Sequence, residues 1–197
     1  GRFTLDLNYT FTGGKGYAEA EHYALHPLNG TRVAYSDKTS NTSTGTSHDI
    51  GVDLGYRFAE HHTVELAYIS NANFIDSKNT TTGSSVSAQS SEGHNLLHNI
   101  GLYYTLPFGL RLNGTYTYYS SPRNQSLNGQ LGADRRVVTA KSDQTIRKWL
   151  FTADQVHTLG HGWQLSYGLE WQTTNNKSYQ TTLNDAGIVI PEATSEV

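Results

Sequence analysis

The nine histidines of the chain raise the question of metal chemistry first. His61 and His62 are adjacent, and His157 and His161 are expected at the same end of the fold. A zinc site needs imidazole, thiolate or carboxylate groups converging at about 2 Å on one ion. Rings on adjacent turn residues diverge, and no carboxylate stands at a recognisable zinc spacing. His94 and His98 share a strand phase, but four residues of extended chain separate them by ~13 Å, too far for one ion. There is no cysteine, which removes a thiol nucleophile, a Cys zinc site and a disulfide framework. No metal and no cofactor are expected.

Carboxylate pairs at a suitable separation can hydrolyse glycosides. Asp49, Asp53 and Arg57 share one phase, with Glu65 expected beside them on the next strand. Nothing in the sequence gathers them into a pocket, so no catalytic residue and no enzyme activity are assigned. They suit a wet wall whose charges pair with each other or with a separate plug, the alternative being a substrate contact. Arg123, Arg135 and Arg136 carry guanidinium forks that match carboxylates and phosphates, either of a ligand or of lipopolysaccharide. The 3 Trp and 13 Tyr could stack on sugars. They equally suit the aromatic girdle of a membrane boundary.

These residues are positioned by segments that alternate with period two. In 48–58, Ile50, Val52, Leu54, Tyr56 and Phe58 hold one phase and Asp49, Asp53 and Arg57 the other. After a tight polar stretch, Ala59–His62, the pattern returns at Val64, Leu66 and Tyr68. A second unit runs through Leu96, Ile100, Leu102 and Tyr104, turns at Leu106–Gly109, and leaves through Leu110, Leu112, Tyr116 and Tyr118. A third passes Trp149 and Phe151, turns near Thr158–Gly162, and leaves through Trp163, Leu165, Tyr167, Leu169 and Trp171. At the start, Phe3 to Phe11 precede an expected turn at Thr12–Gly16 and a weaker strand at 17–25. The reading is about eight strands in four hairpins.

Between the hairpins, 27–46, 71–92 and 121–143 are rich in Ser, Thr, Asn and Gly and read as long loops on one side of the sheet. Short turns at one end and long loops at the other are the layout of an outer-membrane β-barrel. Its polar phase would line the lumen with Asp49, Asp53, Arg57, Glu65, Arg111 and Glu170. Its apolar phase would meet lipid through Ile50, Val52, Leu54, Tyr56, Leu102, Tyr104, Leu165 and Tyr167. A lipid-facing Arg or Lys at the midplane costs about 2–4 kcal/mol, a reason for this exclusion of charge. Several segments sustain ten or more residues, against about five or six for an ordinary soluble strand. His98 and Arg147 break the phase, and a rim position, where long side chains snorkel, accounts for both.

Composition sets the outer bounds. Only 36% of the 197 residues are hydrophobic and 16% charged, with 19 Gly, which disfavours a helical bundle. A net charge of -3 and a pI near 6.3 give no basis for binding nucleic acid. No run of apolar residues is long enough for a membrane helix, and mean hydropathy is -0.55. Neither excludes a barrel, whose alternation hides its apolar face from any average. The chain begins Gly1-Arg2 without initiator Met or signal peptide and is expected to be a mature or excised piece.

Residues 98–122 and 144–180, with Asp154, Gly162 and Gly168-Leu169-Glu170-Trp171, resemble the barrel of Bacteroidetes TonB-dependent receptors, the outer membrane protein beta-barrel family. The resemblance covers most of 47–180 in layout. It implies an antiparallel up-and-down transmembrane barrel over 1–180, a section of a larger one, with 181–197 a tail or the start of the next loop. It further implies uptake of a nutrient or metal chelate, driven by the TonB complex through a plug that this chain lacks. Its partners would be outer-membrane lipid and lipopolysaccharide, with the small-molecule or oligomer substrate unidentified. The end of the chain lacks the terminal aromatic of outer-membrane barrels. A small closed barrel with a structural or adhesion role and a soluble carbohydrate-binding β-sandwich stand as alternatives.

Overall fold

In the computed structural model, which describes residues 1–28, 30–131, 134–159 and 162–196, the alternating segments are strands of one antiparallel sheet. Its nine strands are β1 (Arg2–Leu28), β2 (Thr31–Ala59), β3 (His62–Gly83), β4 (Val86–Thr105), β5 (Leu110–Ser120), β6 (Arg123–Leu131), β7 (Asp134–Thr158), β8 (Gln164–Leu183) and β9 (Ser195–Glu196). They lie in the order β1-β2-β3-β4-β5-β7-β8-β9, with β6 between β4 and β7. β5 and β6 occupy one strand position in two lengths: β4 pairs with β5 from Leu96 to Thr105 and with β6 from Val86 to Gly93. The break falls at Ser121-Pro122, where proline has no N–H to give the ladder. There the Pro122 carbonyl accepts from His94 N–H at 3.3 Å, and Ser121 N–H donates to Gln144 O at 2.9 Å.

The all-β antiparallel expectation holds, but two expectations about its parts do not. Thr12–Gly16 is no turn: it pairs in unbroken register with Ser47 to Ser43, in the middle of a 27-residue β1. Gly13, Gly14 and Gly16 keep ordinary φ values, whereas the glycines with positive φ among the described residues are Gly30, Gly83, Gly109, Gly162 and Gly187. The segments 27–46, 71–92 and 121–143 are not long loops. They are the outer halves of β1 to β4, β6 and β7, closed by short connections near residues 30, 84 and 132–133, the last pair outside the described residues. At the other end the expected turns stand. β2 turns into β3 at Glu60-His61, with His61 at φ 57°, and β4 into β5 at Leu106–Gly109, where Gly109 N–H donates to Leu106 O at 3.1 Å. β7 meets β8 across Thr158–Gly162, of which Gly160 and His161 lie outside the described residues.

The expected tail begins only after Leu183, since 181–183 still belong to β8, and residues 184–196 fold back on that strand. Pro191–Ala193 form one 3-10 turn, β9 pairs with Tyr179 and Gln180, and the buried Thr182 donates its Oγ1 proton to Ala193 O at 2.7 Å. The final residue, Val197, lies outside the described residues. Among the described residues no apolar side chain is buried, and β1 and β8 do not pair with one another. Both faces and most of both edges are therefore open.

Candidate functional surfaces of the sheet

Residues directly opposite in an antiparallel ladder point to the same face, so the register sorts the side chains into rows. The row through Phe3 runs Tyr56, Val64, Tyr104, Leu112, Ala153, Leu169. The next on that face runs Leu5, Leu54, Leu66, Leu102, Gly114, Phe151, Trp171, and the third Leu7, Val52, Tyr68, Ile100, Tyr116, Trp149, Thr173. The residues expected to face lipid, Ile50, Val52, Leu54, Tyr56, Leu102, Tyr104, Leu165 and Tyr167, all fall on this face. It is bare: Leu7 is 65% exposed, Leu169 80% and Trp171 56%.

Aromatic–histidine pairs border this apolar band. Toward the tight turns, His62 Nε2 lies 2.7 Å from the Tyr104 hydroxyl and His157 Nε2 2.9 Å from that of Tyr167. Toward the far end, His48 Nδ1 meets the Tyr9 hydroxyl at 2.9 Å and contacts the Phe11 ring. His98 Nδ1 meets the Tyr68 hydroxyl at 2.9 Å and Ser70 Oγ at 3.1 Å, its ring stacked between Tyr68 and Tyr118. His98 and Arg147 share one row with Tyr9 and Tyr118, at the far limit of the band. His61 is exposed, 3.7 Å from Glu60; His161 lies outside the described residues.

The far limit is not level. Phe11 and Leu96 lie in one row, which continues through Ser120, Thr145 and Lys177. The unbroken apolar run ends at Tyr118 on β5, Trp149 on β7 and Trp171 on β8, falling back two, four and six residues from that row, with single apolar side chains such as Tyr17 on β1, Phe74 on β3 and Tyr179 on β8 standing farther out on the same face. Averaged from β1 to β8, this is about one residue per strand. With ~3.3 Å of rise against ~4.8 Å between strands, the band crosses the strands as if they were tilted by roughly 35°.

The opposite face carries the charges. Arg2, Arg57, Arg111 and Asp154 share one row, Glu65 and Glu170 the next, Asp6 and Asp53 a third, and Asp49 lies farther along. Arg57 and Glu65 line one depression of about 260 Å³ with Arg2 and Thr4, while Asp53 and Glu65 line another of about 410 Å³ with Tyr103. Asp49 accepts from Asn71 Nδ2 and from Ser47 Oγ at 3.2 Å. No ion pair among these charges occurs in the described residues, so the expected pairing within the wall is not seen there. Amide–hydroxyl bridges tie the same face, Asn99 to Thr117 at 2.8 Å and Asn113 to Thr152 at 2.9 Å.

Beyond the band, the strands continue as hairpin arms in which polar residues predominate on both faces, with scattered exposed apolar side chains such as Tyr23, Leu25, Phe74 and Ile75. Arg123 begins β6 opposite Ser142, whereas Arg135 and Arg136 stand near the tip opposite Gln130 and Gly129. By the alternation Arg135 takes the face opposite to Arg123 and Arg136, so the three do not form one cluster. Arg135 Nε donates to Asn128 Oδ1 at 3.3 Å. Sequence reasoning missed two polar clusters here, because their members are far apart in the chain. Asp37 on β2 accepts from Ser85 N–H and Oγ, each at 2.9 Å, and these bonds hold its carboxyl below the usual range. Lys38 Nζ lies 2.5 Å from Glu19, which also accepts from the Tyr17 hydroxyl. The bonds to Lys38 and then Tyr17 lower the Glu19 carboxyl, while Glu19 raises both Lys38 and Tyr17.

The chain matches no family model and no curated protein.

Proposed function

We propose that this sheet is a section of the wall of a bacterial outer-membrane β-barrel, of the TonB-dependent receptor kind, through which a nutrient or chelate enters the cell. The observation that carries the reading is the bare apolar band. A soluble monomer rarely leaves an apolar patch of more than a few hundred Å² in water, and here at least three rows of large side chains run the width of the sheet. Lipid satisfies such a face without a second protein layer, and only a closed sheet satisfies strand edges there. The open edges of β1 and β8 favour a wall that continues into further strands over a small closed barrel. The charged, unpaired opposite face suits a wet lumen. No residue is assigned a catalytic role.

The test uses the tryptophans. Trp149 and Trp171 lie on the apolar face, and Trp163, two residues before Leu165, shares its phase. Refolding the intact protein into vesicles whose acyl chains carry bromine should quench most of the emission from this chain's tryptophans. Emission as strong as in unbrominated vesicles would sink the membrane assignment. Loss of uptake on interrupting the energy-coupling complex, in a strain that depends on the protein, tests the receptor role separately.

A further inference from the structure

We infer that the far limit of the apolar band is set by pH, with His48 and His98 as the groups that titrate. The inference rests on the membrane assignment above and goes beyond it, because a lipid-facing wall needs no titrating group. With both imidazoles neutral, lipid reaches the row of Phe11 and Leu96. With both charged, the boundary withdraws toward the tight turns on β2, β3 and β4. An imidazole side chain changes charge between about pH 5 and 8, so the device works near neutral pH.

The molecule holds the charged case for comparison. One row of the ladder runs Tyr9, Ile50, Ser70, His98, Tyr118, Arg147. On β7, where that row carries a permanent cation, the unbroken apolar run stops one row earlier, at Trp149. On β4, where it carries His98, the apolar side chains resume past it at Leu96. A cation against lipid costs more the deeper it lies. Protonated His98 therefore stands to Ile100 as Arg147 stands to Trp149, and the limit on β4 falls back two rows to meet that on β7. His48 lies one row farther out, level with Phe11 and Ala72, and its charge takes that row out of the band on β2.

The surroundings accommodate both charge states. His48 Nδ1 meets the Tyr9 hydroxyl, and His98 Nδ1 meets those of Tyr68 and the buried Ser70. A hydroxyl donates to a bare ring nitrogen and accepts from a protonated one, so neither state strands the buried oxygen. Tyr68 and Tyr118 flank the His98 ring, and their faces also attract a cation. Across the ladder and one diagonal step away on this face, the titratable neighbours are Tyr9 at His48 and Tyr68, Tyr116 and Tyr118 at His98. These are phenols, a group that ionises near pH 10. Carboxylates stand farther out: Asp76, Glu92 and Asp143 lie one or two rows beyond His48 and two or three beyond His98. The permanent cations are Arg147, across Tyr118 from His98, and Lys15, two rows beyond His48. His94 sits among those carboxylates, two residues from Glu92 and diagonal to Asp76, and lies outside the band in either state.

The chain has no cysteine, so one nitroxide can be placed on it in the intact protein, refolded into phosphatidylcholine vesicles. Ala72→Cys puts the label opposite His48 and diagonal to His98, and Thr173→Cys puts a control on β8 with no histidine beside it. Collisions with oxygen and with a water-soluble nickel chelate report the immersion of each label. From pH 8 to pH 5 the label at 72 should move toward water by at least one row, roughly 7 Å along the strand, while the label at 173 stays. His48→Gln/His98→Gln should abolish the movement; His98→Gln alone should remove most of it and serves if the double variant does not refold. Equal immersion at both pH values, or a movement that persists in the variants, would overturn the inference. Equal movement of the two labels would assign the change to the whole chain and overturn it too. Bromine quenching of the tryptophans at pH 8 separates the claims: with quenching intact and no movement, the membrane assignment stands and the pH-set limit falls.

Discussion

Asp37 shows how single residues hold the polar arms together. Its carboxylate receives two hydrogen bonds from Ser85 at the turn between β3 and β4, so the charged form belongs to the folded arm. A carboxyl held below its unfolded value adds stability that is complete above the unfolded pKa and is lost as pH falls through the folded one. Its Lys38 neighbour obeys the mirror rule. That pKa is raised, so the contribution is present at neutral pH and fades only as pH climbs past the ordinary lysine range. The β3–β4 arm should therefore open in acid below the usual carboxylate range, and Asp37→Asn should open it at neutral pH as well. Amide exchange at Ser84–Ser87 against pH checks this; a tip whose exchange is the same in wild type and variant would remove Asp37 from the arm's support. The residue scale also explains His98, which looks like an error of phase in the sequence. Its hydrogen bonds to Tyr68 and Ser70 satisfy the ring nitrogen at the border of the band.

Among the elements, the arms were the least legible part of the sequence. Period two is visible only where one face is apolar, as in 48–58; where both faces are polar the alternation vanishes, although the ladder does not. Segments 71–92 and 121–143 therefore carried the composition of loops while adopting the register of strands. Thr-rich stretches such as 79–82 hold some β-propensity, a weak signal beside Gly and Asn. The glycines at 13, 14 and 16 misled in the same way, because a turn needs positive φ and composition does not report φ. By contrast Leu106–Gly109 was legible, since proline and glycine there sit between two apolar runs and Gly109 takes φ 86°. The placement of the candidate charges on one face was legible too, since it follows from phase alone. Their separation into rows was not, since rows depend on register. If the arms are hydrogen-bonded hairpins, paired amides within 71–82 and 123–130 should exchange orders of magnitude slower than an unstructured loop. Exchange at the free-peptide rate across both would contradict the strand assignment.

For the whole molecule, the slanted band makes a prediction that a level one does not. Val52 and Thr173 share one register row, yet Val52 lies within the band and Thr173 beyond its limit on β8. In lipid, Val52→Arg should cost about 2–4 kcal/mol of refolding stability, and Thr173→Arg about 0–1. Equal costs would mean that the membrane boundary follows the register and that the strands stand upright. The open edges have a different consequence, one of timing. β1 offers one side of a 27-residue strand to any chain that can pair with it, and long flat edges seed aggregation. Every second this sheet spends in water before its neighbours arrive is an opportunity for two nascent copies to zip edge to edge. On the proposed membrane function, delivery is a race against polymerisation, and a holding chaperone should act at β1 rather than at the tightly turned end of the molecule.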